Sequence, residues 1–229
     1  MLNKKAFCFI VIIVCCFYSK NTFAKNILKF VAVGDSNTTG ICTGNKSYID
    51  ILGGHKFAEG KRASFRLHKH LGEALKINPD YVIVFVGINN PMSTHGCRKN
   101  WKDELKSDLS RMYIKIRKHK AISIGITLLP AMKVWKRHYR LCPPQLKSSP
   151  KGTHCCMTKE RRKRRNPNKI YTNILEINKF IKGNADIVID NSDMWDIDGL
   201  YLRYGLLDGI HLNKAGQQYI ADKILRSVK

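Results

Sequence analysis

Acidic residues are scarce in this chain. Asp and Glu number 17 against 41 Lys and Arg, a formal charge of +24 over 229 residues. Such an excess implies attraction to polyanions. Long apolar runs are missing as well: none reaches the roughly 18 residues of a membrane span, which argues against an integral membrane protein. No period of roughly 20–50 residues recurs, which argues against a solenoid or propeller. At 44% hydrophobic, the chain is not disordered as a whole. Its length suits one domain with a sizeable core and is short for two.

The first two dozen residues read as a secretory signal. Lys4 and Lys5 form a positive start, Ala6 to Tyr18 is an apolar core, and Thr22-Phe23-Ala24 offers small residues for cleavage after Ala24. The alternative is an uncleaved amphipathic or anchoring segment. Removal of residues 1–24 takes away Lys4, Lys5 and Lys20 and no acid, so the mature charge stays near +21. Residues 25–229 then form a single domain, secreted or periplasmic, with no membrane span in the mature chain. Five cysteines remain in it: Cys42, Cys97, Cys142, Cys155 and Cys156. In an oxidising compartment some should pair, and the odd count leaves one over.

Beyond the signal, strand and helix patterns alternate. Ile27 to Val33 is a short apolar run that stops at Gly34. Lys61 to Lys76 places Leu67, Leu71, Ala74 and Leu75 on one helical face. Tyr81 to Val86 is unbroken and apolar, as in a strand buried on both faces. Asn100 is placed to cap a helix whose stripe is Trp101, Leu105, Leu109, Met112 and Ile116. Ala121 to Leu129 is a further strand, ended by Pro130. Asn166-Pro167 opens a helix carrying Ile170, Ile174, Ile177 and Ile181 inward. Asp186 to Asp190 is another strand, and the last helix starts near Asn213 and buries Ile220, Ile224 and Val228. The alternation implies a parallel α/β sheet, whose ligands bind at the carboxyl ends of the strands. Residues 131–165 break the pattern. They hold three cysteines and the run Arg161, Arg162, Lys163, Arg164, Arg165, and read as a basic insertion on the active edge.

Three segments at those ends carry chemistry: Gly34-Asp35-Ser36-Asn37-Thr38, Gly87-Ile88-Asn89-Asn90 and Asp208-Gly209-Ile210-His211-Leu212-Asn213. They supply a serine, an amide donor and an Asp/His pair. Acyl transfer needs these parts. A serine hydroxyl is a weak nucleophile until a base takes its proton, and histidine suits that role near neutral pH. A carboxylate orients the imidazole, and fixed donors hold the oxyanion. Taken alone, Ser36 would read as a helix-cap serine, and the last segment as a turn whose Asn213 caps the final helix. Their combination and order favour the catalytic reading.

The three segments resemble blocks I, III and V of the SGNH, or GDSL-type, hydrolases. The resemblance covers about residues 27–129 and 166–229. It implies a three-layer α/β/α sandwich on a mainly parallel five-stranded sheet, flavodoxin-like, in the order 2-1-3-4-5. It implies Ser36 as nucleophile, His211 as general base and Asp208 as its orienting carboxylate, with no metal or organic cofactor. The oxyanion hole would be the Ser36 and Gly60 backbone N–H groups and the Asn89 side-chain amide. One departure is visible: the family usually has Asp after its block III asparagine, and here it is Asn90.

The remaining motifs are less specific. His68 and His70 read as surface residues of a basic helix. His138, Cys142, His154, Cys155 and Cys156 have donor types that suit zinc, but no regular spacing, and disulfides are favoured over zinc. Cys42 and Cys97 follow the first two motifs on loops of one sheet edge, so a Cys42–Cys97 disulfide is expected, with Cys142 pairing with Cys155 or Cys156. The Arg161 to Arg165 run reads as a solvated loop or a contact for an anionic surface, not for a specific nucleic acid. The function expected is a secreted serine esterase, deacetylating a glycan or cleaving a lysophospholipid. An O-acyltransferase and a non-catalytic polyanion-binding module are the alternatives.

Expression of the full chain in an exporting host should therefore yield a protein beginning at Lys25. Intact mass with N-terminal sequencing checks this, and exported protein that still begins at Met1 would establish the uncleaved alternative.

Overall fold

In the computed structural model the described residues are 28–91, 100–129, 167–195, 203–205 and 210–228. They form strands β1 (Phe30–Gly34), β2 (His55–Ala58), β3 (Tyr81–Phe85), β4 (Ile122–Ile126) and β5 (Ile187–Ile189). The helices are α1 (Ser36–Thr39), α2 (Tyr48–Ile51), α3 (Ser64–Leu75), α4 (Trp101–Lys118), α5 (Pro167–Asn184) and α6 (Lys214–Ser227). The sheet is parallel throughout, in the order β2-β1-β3-β4-β5. This is the expected α/β architecture and strand order.

Chain direction explains the layers. Right-handed crossovers put α1 and α2, which lead leftward from β1 to β2, on one face of the sheet. They put α3, α4 and α5, which lead rightward, on the other. There α3 packs on α4 and α4 on α5, while α2 packs on α6 across the sheet. The central strands are apolar along their whole length because both faces are covered. Val31, Ala32, Val33, Val82, Ile83 and Val84 are all buried. The helical stripes read from the sequence face inward: Leu67 and Leu71, Leu105 and Met112, Ile174, Ile177 and Ile181, Ile220 and Ile224 are buried.

Two local features differ from expectation. The edge strand β2 (HKFA) was not foreseen as a strand: it is four residues long, carries no period and is only partly buried. Asn100 holds the cap position of α4, but its φ of −109° and ψ of 19° leave the extended conformation a capping side chain needs, and no side-chain cap bond forms. Acidic residues in the first turn of α4 and basic ones in its last still complement the helix dipole.

Close approach of helices to β4 depends on Gly125. A Cβ there would lie 2.7 Å from Ala185 Cβ and 2.8 Å from both Ile181 Cγ2 and Tyr113 Oη. Gly125→Ala should cost about 1–3 kcal/mol through overpacking. A lower urea midpoint at unchanged m-value is the expected result, and an unaltered midpoint would show that the layer yields.

Candidate active site

The strand ends supply the site. Strand β1 runs into Asp35, which caps α1: its side chain accepts the Asn37 N–H at 3.2 Å. Ser36 is the first residue of α1, so its N–H is one of the first-turn donors that a helix does not satisfy internally. The turn requires glycine at 34, where a Cβ would lie 1.8 Å from Thr38 Oγ1. Gly40, in the left-handed region at φ 71°, ends the helix.

His211 arrives from the far end of the chain. Its Nε2 lies 3.0 Å from Ser36 Oγ across 175 positions. Asn37 holds it there. The Asn37 side chain donates to Ile210 O at 3.0 Å and accepts from Leu212 N–H at 2.9 Å, so it brackets the histidine on both sides. Gln217 of α6 donates to Asn37 O at 3.0 Å and accepts from Tyr48 N–H at 2.9 Å, which ties α1, α2 and α6 together. Asn213 caps α6 by accepting the Gly216 N–H at 2.9 Å and donates to Arg203 O. That capping role and the proximity of His211 to Ser36 coexist.

The candidate oxyanion donors converge on the same edge. Glu59 N–H bonds Gly34 O, bringing the end of β2 beside the serine turn. A Cβ at Gly60 would stand 3.9 Å from Ser36 Cβ. The segment Gly87-Ile88-Asn89-Asn90 is a turn closed by Asn90 N–H donating to Gly87 O at 3.0 Å. Gly87 has φ 129°, and a Cβ there would collide with Leu105 and Leu128. Asn89 follows in this turn, and its Nδ2 is buried without a hydrogen-bond partner among the described residues. A buried, unpaired donor costs about 1–3 kcal/mol and calls for an acceptor.

Asp208, the expected carboxylate of the His pair, lies outside the described residues. So do Cys97, the other six cysteines besides Cys42, the 131–165 segment with Arg161 to Arg165, and residues 1–24. Cys42 is disulfide-bonded. Sequence reasoning did not single out Asn37 or Gln217. The only signal for Asn37 was its place directly after the serine.

A second acid lies under the site. Asp35 is buried, and burial raises its carboxyl from 3.8 to about 7, against the opposing pull of the Asn37 N–H and of His211. The folded protein therefore keeps this proton over a pH range in which the unfolded chain has released it. Folding stability from this group is greatest below about pH 4 and falls as pH rises towards 7. Asp35→Asn keeps a capping oxygen. Its Tm relative to wild type should rise by several degrees between pH 4 and pH 8 in thermal melts. Parallel curves for the two proteins would refute the buried-charge assignment.

The family described as GDSL-like Lipase/Acylhydrolase matches residues 32–219. Solved structures share the fold. A GDSL-like lipase from Bacteroides thetaiotaomicron superposes at TM-score 0.63 and 17% identity, over 89% of this chain and 88% of its own. A lipase/acylhydrolase from Enterococcus faecalis gives 0.56 and 19%, over 87% and 94%. The acetyl xylan esterase AlAXEase gives 0.55 and 19%, over 87% and 98%. Among curated proteins, none matches the chain.

Proposed function

The chain belongs to the GDSL-like lipase/acylhydrolase family and is a hydrolase of carboxylic esters, and from that premise we propose that it is a secreted serine esterase working through Ser36 and His211. The observation that carries this reading is the 3.0 Å approach of His211 Nε2 to Ser36 Oγ. It is a hydrogen-bond distance at which the imidazole takes the hydroxyl proton as the oxygen attacks.

The steps follow from the groups present. Ser36 Oγ attacks the ester carbonyl carbon, and its proton passes to His211. The carbonyl oxygen gains the charge and is held by the Ser36 and Gly60 N–H groups and by the Asn89 amide. The unpaired Asn89 Nδ2 supports this assignment, because an oxyanion is the acceptor it lacks. His211 then protonates the leaving alcohol, and Ser36 remains acylated. Water attacks the acyl group, gives its proton to His211, and the acid departs as Ser36 Oγ recovers that proton. Asp208 would hold the imidazole in the tautomer that presents Nε2 to the serine and offset the imidazolium charge.

The substrate is an O-acetylated glycan or a lysophospholipid on an anionic surface, reached with the help of the positive charge of the chain. The Arg161, Arg162, Lys163, Arg164 and Arg165 run would form part of that contact. Signal removal after Ala24 and export complete the reading.

Hydrolysis of p-nitrophenyl acetate, butyrate and octanoate tests it. Ser36→Ala and His211→Ala should each lower kcat by about 10³-fold or more at little change in Tm. Preference for acetate selects the glycan, and preference for octanoate selects the lipid. A Ser36→Ala protein that matches wild type would overturn the mechanism. Product appearing only with an added acceptor glycan would turn hydrolysis into acyl transfer.

A further inference from the structure

A second hydrogen-bonded chain runs from the Asn89 turn into the helical layer. Asn90 Oδ1 accepts the Ser64 N–H at 3.0 Å, at the start of α3. The cap residue of that helix, Ala63, offers no side-chain acceptor, so Asn90 caps it from another part of the chain. Asn90 Nδ2 donates to Ser64 Oγ at 2.8 Å. Ser64 Oγ donates its one hydrogen to Asp108 Oδ2 of α4 at 2.6 Å. Asp108 Oδ1 faces His68 Nε2 at 3.3 Å and Arg111 Nη2. His68, expected to be a surface residue, thus reaches a buried acid. Asp108, Ser64 and Asn90 are all buried.

We propose that Asp108, acting through Ser64 and Asn90, is a positioning residue for the Asn89 amide. Each donor in the chain is directed. Asp108 accepts the Ser64 hydroxyl hydrogen, which leaves Ser64 Oγ free to accept from Asn90 Nδ2. That contact fixes which end of the Asn90 amide meets the Ser64 hydroxyl and which its N–H. Asn90 closes the turn that carries Asn89, so the direction set at Asp108 holds the neighbouring amide in place. Burial alone would raise the Asp108 carboxyl, but bonds from His68, Ser64 and Arg111 outweigh it and hold the group below the usual carboxylate range. Asp108 therefore stays ionised at neutral pH. Where the family's pattern has Asp directly after the asparagine, this chain has Asn90, linked through Ser64 to the Asp108 carboxylate of α4.

This inference rests on the oxyanion role of Asn89, and the test separates the two. Asn89→Ala should lower kcat about 10²–10³-fold. Asp108→Asn disorders the donor directions and should lower kcat about 10–100-fold, with KM within about twofold of wild type. Asn90→Asp alone should also lose activity, because two carboxylates then compete for one Ser64 hydrogen. The double variant Asn90→Asp/Asp108→Asn reverses both bonds of the Ser64 hydroxyl and keeps the others. Asp at 90 accepts both Ser64 hydrogens, and Asn at 108 donates to Ser64 Oγ and accepts from Arg111. It should recover kcat to within about threefold of wild type.

An unchanged kcat in Asn89→Ala would overturn the oxyanion reading and this inference with it. A large loss in Asn89→Ala beside an unaltered Asp108→Asn would overturn the positioning role alone. So would a double variant no better than either single one. Should Asp108→Asn not fold, Ser64→Ala breaks the same link and carries the same expectation for kcat and KM.

Discussion

The site hangs on the bracket that Asn37 places around His211. Two hydrogen bonds from one side chain reach Ile210 O and Leu212 N–H, and they fix the backbone from which the imidazole projects. The constraint is geometric before it is chemical. Serine and histidine lie 175 positions apart, and backbone freedom alone would scatter the histidine over many positions. Gln217 extends the bracket to α2 and α6, so the same bonds that place His211 also close the α1, α2 and α6 face of the sheet. Placement of His211 and docking of α6 depend on the same Asn37 side chain and backbone.

Buried polar groups follow the same economy elsewhere. Asn178 of α5 donates to Leu128 O and accepts from Leu128 N–H, tying the end of β4 to its neighbouring helix. Asp186 accepts from both the N–H and hydroxyl of Ser123. Asn178 acts at the carboxyl end of the sheet and Asp186 at its amino end, and each fastens a connecting segment to a neighbouring element. Loops gain definition this way without apolar cores of their own. Among the described residues, Asn89 Nδ2, Tyr113 Oη and Asn191 Oδ1 are buried without a hydrogen-bond partner.

Legibility in the sequence followed the length scale of each interaction. Periodic features were plain: the stripes on α3, α4 and α6 and the unbroken run of β3 state their burial within one segment. Ser36, Asn89 and His211 were readable because each sits in a short motif at a strand end or helix start. β2 was not, since His55-Lys56-Phe57-Ala58 lies at a sheet edge where neither face imposes a period. Asn37, Gln217, Ser64, His68 and Asp108 escaped for another reason. Their partners lie 26 to 180 positions away, and no local pattern marks a polar residue whose acceptor is on a different element. The assumption that His68 faces water failed on that ground, because Asp108 sits on a neighbouring helix and interrupts its apolar stripe.

The spacing of Ser36 and His211 carries a consequence in time. A ribosome delivers the serine turn early and the histidine 175 positions later, so a growing chain holds the proposed nucleophile before its proposed base exists. Loop closure over 175 positions is among the last contacts the fold can make. On the proposed mechanism, reactivity towards esters would require α6 and the His211 segment to have docked against α1. A chain cut short before His211 would be inactive on that mechanism, whatever else of the sheet it assembles.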